Sequence, residues 1–127
     1  MATVNPRCAL VVDDSATMRQ LIGFALRRVP GLDLVEAQNG LEALRLLDER
    51  SFDLILLDIN MPVMNGLEFL QRVQKEPAYQ AIPVIIISTE GKEEDTIRGL
   101  KMGAKGYVKK PFQASELHGL IEKITTS

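Results

Sequence analysis

The sequence predicts an α/β fold, a doubly wound (βα)5 sheet, on three observations. Five short apolar runs recur along the chain, each is apolar at nearly every position, and amphipathic helical stretches lie between them. Runs that do not alternate with polar residues suit a parallel sheet covered on both faces, and the intervening helices supply the crossovers that parallel pairing needs. Five such units use nearly all of the 127 residues, so the expected organisation is one domain over 1–127 with no output domain.

The first strand is Cys8-Ala9-Leu10-Val11-Val12. Met18, Leu21, Ile22, Ala25, Leu26 and Val29 then form one apolar stripe at helical spacing, ended by Pro30-Gly31. The second strand is read at Leu32 to Val35, with Asp33 inside it, and Leu41, Leu44 and Leu47 mark the second helix. Leu54-Ile55-Leu56-Leu57 is the third strand, followed by a helix carrying Leu67, Leu70 and Val73, and Val84-Ile85-Ile86-Ile87 is the fourth. The helix between Glu93 and Gly103 is the weakest and is expected to be the loosest. Only Ile97, Leu100 and Met102 are large and apolar there, and Gly99 either costs about 1 kcal/mol relative to Ala or lets a neighbour pack closely. Gly106-Tyr107-Val108 is the fifth strand, and Leu117, Leu120, Ile121 and Ile124 line the last helix.

Composition narrows the function. Fifteen Lys and Arg against 17 Asp and Glu leave a formal charge of −2, without the basic footprint of a nucleic-acid module. The lone Cys8 cannot form an internal disulfide and reads as a small core hydrophobe. With no signal-like leader and no apolar run near the ~20 residues that span a bilayer, the chain is expected to be cytoplasmic, with neither membrane nor nucleic acid as partner.

Parallel strands put their carboxyl ends on one edge, where open α/β sheets bind ligands. The first strand runs into Asp13-Asp14, the third into Asp58, the fourth into Ser88-Thr89 and the fifth into Lys109-Lys110-Pro111. Three carboxylates, a hydroxyl and a lysine therefore converge. Two carboxylates about 4 Å apart repel by about 4 kcal/mol at an effective dielectric constant of 20, so the cluster calls for a cation. All-oxygen ligands of this kind suit Mg²⁺. A carboxylate beside Mg²⁺ can attack phosphorus to give an aspartyl phosphate, while lysine and serine hold phosphoryl oxygens. Lys109 reads as solvated, Ser15 as the cap of the first helix, and His118 as a surface residue without a catalytic partner.

Four motifs stand in order: Val11-Val12-Asp13-Asp14-Ser15, Leu57-Asp58-Ile59-Asn60-Met61-Pro62 with Asn65-Gly66, Ile86-Ile87-Ser88-Thr89, and Gly103 to Phe112 with Lys109-Lys110-Pro111. Together they resemble the receiver domains of bacterial two-component response regulators, of the stand-alone, CheY-like chemotaxis type, over nearly the whole chain. The resemblance implies a flavodoxin-like fold with strand order 2-1-3-4-5. It implies Asp58 as phosphoacceptor, with Asp14, Asp58 and the backbone carbonyl of Asn60 binding Mg²⁺ and Asp13 reaching the metal through water. Lys110 would pair with a phosphoryl oxygen, its bond to Pro111 cis. Ser88 would be the switch hydroxyl, Tyr107 the aromatic that moves inward, and Asn60, Thr89 and Glu90 would tune dephosphorylation and access. Gln113, where a stronger cap is usual, implies a weakly capped last helix.

The implied activity is Mg²⁺-dependent transfer of a phosphoryl group onto Asp58 from a CheA-like histidine kinase, with autodephosphorylation, in a signalling protein and not an enzyme. A downstream protein would bind the face made by the fourth helix, fifth strand and fifth helix. The alternative within the same family is a phosphorelay shuttle or a phosphate-sink receiver. A flavin carrier would need a Ser/Thr/Gly-rich phosphate loop where Asp13-Asp14 stands. A Mg²⁺-dependent aspartyl-phosphate phosphohydrolase would need a second Asp where Asn60 stands, and a receiver-like fold kept only for binding would not need the complete acid cleft.

Overall fold

A computed structural model describes residues 8–27, 29–59, 61, 64–89 and 92–125. Strands and helices alternate along the chain: β1 (Cys8–Val12), α1 (Ala16–Leu26), β2 (Asp33–Ala37), α2 (Gly40–Glu49), β3 (Leu54–Asp58), α3 (Gly66–Lys75), β4 (Val84–Ser88), α4 (Glu93–Lys101), β5 (Gly106–Lys109) and α5 (Ala114–Thr125). All neighbouring strands pair in parallel, in the order β2-β1-β3-β4-β5. This is the doubly wound, flavodoxin-like (βα)5 fold.

Period-two alternation divides the strand residues between two cores. Leu10, Val12, Ile55, Leu57, Val84 and Ile86 face α2 and α3, meeting Ala43, Leu47, Phe69, Leu70 and Val73. Ala9, Val11, Leu54, Leu56, Ile85 and Ile87 face α1 and α5, meeting Ile22, Ala25, Leu26, Leu117 and Ile121. Both sides of the three central strands are thus buried, which is why these strands are apolar at successive positions. Burying each large aliphatic side chain contributes about 1.5–3 kcal/mol, so the sheet is a stiff base for the loops at its carboxyl edge.

Several boundaries differ from the sequence reading. The second strand lies at Asp33–Ala37 instead of Leu32 to Val35. As an edge strand it tolerates exposed Asp33 and Glu36, and Leu32 closes a turn by donating its N–H to the Val29 carbonyl at 3.4 Å. α1 stops at Leu26, yet Val29 stays buried beyond its end. β3, β4 and β5 each run one residue further, to Asp58, Ser88 and Lys109.

Gly99 resolves in favour of close packing: a Cβ there would stand 2.4 Å from Ile86 Cδ1, so the missing side chain lets α4 lie against β4. Ser15 caps α1 as expected, accepting the Met18 N–H at 3.2 Å. Asn65 and Glu68 form a capping box on α3. At α5, the Gln113 N–H donates to the Glu116 carboxylate at 3.2 Å, so Glu116 supports a start that Gln113 alone was expected to cap weakly.

Candidate functional site

The acid cleft forms where β1 and β3 lie side by side, pairing Val12 with Leu57 one residue before each strand's functional end. One carboxylate oxygen from each of Asp13, Asp14 and Asp58 lies within 4.8 Å of the others. Asp13 and Asp58 are buried and Asp14 is exposed, so the cluster opens to solvent on one side. Three hard oxygen donors at this spacing fit Mg²⁺, which favours carboxylates plus retained waters.

Asp13 is held on all sides. Its N–H donates to the Ala37 carbonyl at 3.1 Å. One carboxylate oxygen accepts the Ser15 N–H at 2.9 Å and the other faces Lys110 Nζ at 3.3 Å. Its carbonyl accepts from Arg19 Nη1 at 2.7 Å, and Arg19 Nε in turn donates to Glu36 Oε1 at 2.7 Å.

Lys110 spans the cleft. Its side chain is 13% exposed and its ammonium lies 3.7 Å from Asp58 Oδ1 as well as 3.3 Å from Asp13 Oδ2. Its backbone is tied to β4 by a 2.7 Å bond from the Lys110 N–H to the Ser88 carbonyl, and the Lys110–Pro111 peptide is cis. Lys109 points elsewhere: half exposed, it pairs with Glu93 at 3.2 Å.

Behind Asp58 the start of α3 lies close against the end of β3, the Gly66 N–H reaching the Ile59 carbonyl at 3.1 Å. A Cβ on Gly66 would lie 2.5 Å from Ile59 Cα and 2.8 Å from the Asp58 carbonyl oxygen. Met61 and Met64 are buried on the same side. Gly66 was legible as part of a motif, while its contact with the Asp58 backbone was not.

Ser88 is buried at the end of β4, and Thr89 beside it is half-buried. A cavity of about 180 Å³ is lined by Ser88, Thr89, Thr96, Ile97, Leu100 and Tyr107, among others. Tyr107 is 51% exposed, at the rim of this space. Among the described residues every buried side-chain polar atom has a hydrogen-bond partner. The expected contributions of Asn60 and Glu90 lie outside the described residues. His118 on α5 is half-buried instead of lying at the surface.

The charge bridge of Arg19 and Glu36 is the feature the sequence reading missed. Its one trace is a cation in the first turn of α1, where the helix dipole disfavours positive charge.

Comparison with known proteins agrees with the geometry. Residues 9–122 match the family model described as the response regulator receiver domain. The chain is 40% identical to a chemotaxis protein CheY homolog of Campylobacter jejuni over 116 residues, covering 91% of this chain and 89% of the relative. It is also 40% identical to chemotaxis protein CheY1 of Helicobacter pylori, covering 91% and 94%. Among solved structures, the chemotaxis response regulator CheY4 of Vibrio cholerae superposes with a TM-score of 0.83 at 34% identity, covering 92% of this chain and 97% of that one.

Proposed function

This chain belongs to the response regulator receiver domain family and is a CheY-like phosphoacceptor of chemotaxis or two-component signalling; from that premise we propose that Asp58 accepts the phosphoryl group, in a Mg²⁺-dependent transfer from a histidine kinase of the CheA type. The observation that carries the reading is Lys110 Nζ standing within 3.7 Å of Asp58 Oδ1 and 3.3 Å of Asp13 Oδ2 in a three-carboxylate cluster.

Asp13, Asp14 and Asp58 would hold the ion, with the Asn60 carbonyl as a further ligand. When bound, Mg²⁺ offsets the negative charge that would otherwise keep a phosphoryl group away from three carboxylates. A carboxylate oxygen of Asp58 attacks phosphorus in line, an O–P bond forms, and the N–P bond of the phosphohistidine breaks. The bonding pair leaves with the imidazole nitrogen, so both partners remain closed-shell.

Lys110 follows the charge as it moves. As Asp58 turns from carboxylate to acyl phosphate, the ammonium transfers its attraction from the carboxylate to a phosphoryl oxygen. The Ser88 hydroxyl donates to another phosphoryl oxygen, and its movement toward Asp58 enlarges the cavity at the Tyr107 rim. Tyr107 then turns inward, changing the exposed face of α4, β5 and α5, where Ile97 is 52% exposed and Lys109 pairs with Glu93. We assign that face to a downstream protein, and the reaction to the cytoplasm within a single receiver domain over 1–127. Thr89, Asn60 and Glu90 set how readily water reaches the acyl phosphate in autodephosphorylation.

The test is intact-mass measurement after exposure to a small acyl-phosphate donor. The expected result is one added phosphoryl group with Mg²⁺, little without it, and none on Asp58→Asn. No adduct on the native chain, or equal adduct on Asp58→Asn, overturns the assignment.

A further inference from the structure

Arg19 stands in the first turn of α1, one turn after the Ser15 cap, where the positive end of the helix dipole makes a cation unfavourable. Its side chain is nonetheless only 12% exposed. Two bonds hold it there, both at 2.7 Å: Nε to Glu36 Oε1 and Nη1 to the backbone carbonyl of Asp13. A guanidinium can make two such bonds at once because its donors are fixed in a planar fork.

The anchor comes from a different element. Glu36 lies on β2, paired with Val11 of β1, and the next residue, Ala37, accepts the Asp13 N–H through its carbonyl at 3.1 Å. Both backbone polar groups of Asp13 are therefore tied to β2, one directly and one through Arg19. The carbonyl that Arg19 grips belongs to the peptide joining Asp13 to Asp14. Its plane sets the direction in which the chain enters Asp14, whose exposed carboxylate must lie near those of Asp13 and Asp58 for the three to act together.

From this geometry we infer that Arg19, anchored by Glu36, is a positioning residue for the metal site: it fixes the Asp13–Asp14 peptide so that both carboxylates face Asp58. The inference rests on the reading of the acid cleft as a Mg²⁺ site. Two effects of removing Arg19 have opposite signs, and this makes the role separable from simple charge. Deleting a positive charge near three carboxylates would tighten cation binding, whereas releasing the Asp13–Asp14 peptide weakens it. Groups that orient metal ligands from behind typically change affinity by roughly 10-fold or more when removed.

The experiment is calorimetric titration of the full chain with Mg²⁺, alongside thermal unfolding without metal. Arg19→Ala is expected to weaken Mg²⁺ binding by roughly 10-fold, against the electrostatic trend. Arg19→Lys keeps the charge but cannot make the forked pair of bonds, so it is expected to weaken binding as well and not to rescue. Glu36→Gln, which leaves Arg19 in place with a neutral anchor, should lie between these and the native chain. Should Arg19→Ala fail to fold, Arg19→Lys and Glu36→Gln carry the test. Native-like or tighter binding in the folded Arg19 variants overturns the positioning role while leaving the metal site intact. Absence of Mg²⁺ binding by the native chain overturns both.

Discussion

Lys110 Nζ lies 3.7 Å from the carboxylate of Asp58, both side chains almost out of solvent, with Asp13 3.3 Å away on the other flank. One ammonium thus faces two carboxylates, with the third, Asp14, nearby. Removing a buried partner leaves charge uncompensated, which typically costs 3–5 kcal/mol; opening to water through Asp14 moderates this. Lys110→Ala is therefore expected to lose about 2–3 kcal/mol of unfolding free energy without metal, and Mg²⁺ should restore more stability to it than to the native chain. Urea denaturation with and without Mg²⁺ measures both. Equal metal-induced stabilisation of the two proteins would count against a cleft in which lysine and metal offset the same carboxylates. Asp58→Asn should move the opposite way, gaining on the order of 1–2 kcal/mol without metal, because it removes one of three converging charges.

Glycine positions separate site geometry from helix propensity. A methyl group on Gly66 meets backbone, 2.5 Å from Ile59 Cα and 2.8 Å from the Asp58 carbonyl oxygen, and backbone cannot rotate away. Gly66→Ala is expected to cost about 1–3 kcal/mol and to slow phosphorylation from a small donor by displacing Asp58. Gly119 lies within α5, and a methyl group added there would meet nothing within 4 Å, so Gly119→Ala should stabilise by about 0.5–1 kcal/mol with unchanged phosphorylation. A Gly66→Ala protein with native rate and stability would show that the close approach of Gly66 does not set the Asp58 position.

The acid cleft was legible in the sequence because parallel strands make chain position and spatial position agree at one edge: Asp13, Asp14, Asp58, Ser88 and Lys110 each follow an apolar run. The ends of β2 were not legible. On an edge strand, pairing tolerates exposed polar side chains, so an apolar run neither begins nor ends with the hydrogen bonds, and Glu36 inside β2 looked like the strand's end. The bridge from Glu36 through Arg19 to the Asp13 carbonyl was hidden for a further reason. It joins side chains of β2 and α1 to a backbone oxygen just past the end of β1, and no periodicity records such a contact. Gly99 sat between these cases: its cost to the helix was visible, while its reason, Ile86 Cδ1 at 2.4 Å from a Cβ position, needed the packing of α4 on β4.

The Ser88 and Tyr107 pair makes a spectroscopic prediction. The chain has no Trp and two Tyr, and Tyr79 is occupied in a hydrogen bond to Asp48, so Tyr79→Phe leaves Tyr107 as the sole strong emitter. Exposed as it is at the rim of the 180 Å³ cavity, its emission should be quenched readily by iodide. Adding Mg²⁺ with a beryllium fluoride phosphoryl mimic is expected to reduce that quenching by roughly half as the ring turns inward. In the Ser88→Ala background the mimic should bind while quenching stays high. Protection of Tyr107 equal to that of the Ser88 protein would remove the hydroxyl from the switch.

Cys8 supplies a pH dependence independent of the site. It is 7% exposed on β1, and burial raises its thiol pKa, with the Arg50 guanidinium opposing in part. Below the unfolded thiol's ordinary pKa both states are protonated and the Cys8 contribution to stability is fully present. As pH climbs past that value the unfolded chain loses its proton first, so the contribution falls until the raised folded pKa is passed. Native stability should therefore exceed that of Cys8→Ala by about 1 kcal/mol near neutral pH, and the gap should narrow steadily between about pH 8 and 10. Taking the difference between the two proteins cancels the other titrating groups. Thiol labelling at pH 8 gives a second readout: the folded protein should react roughly 10-fold or more slowly than the urea-unfolded chain. A gap independent of pH, with equally fast labelling of the folded protein, would place the Cys8 thiol in contact with water instead of inside β1.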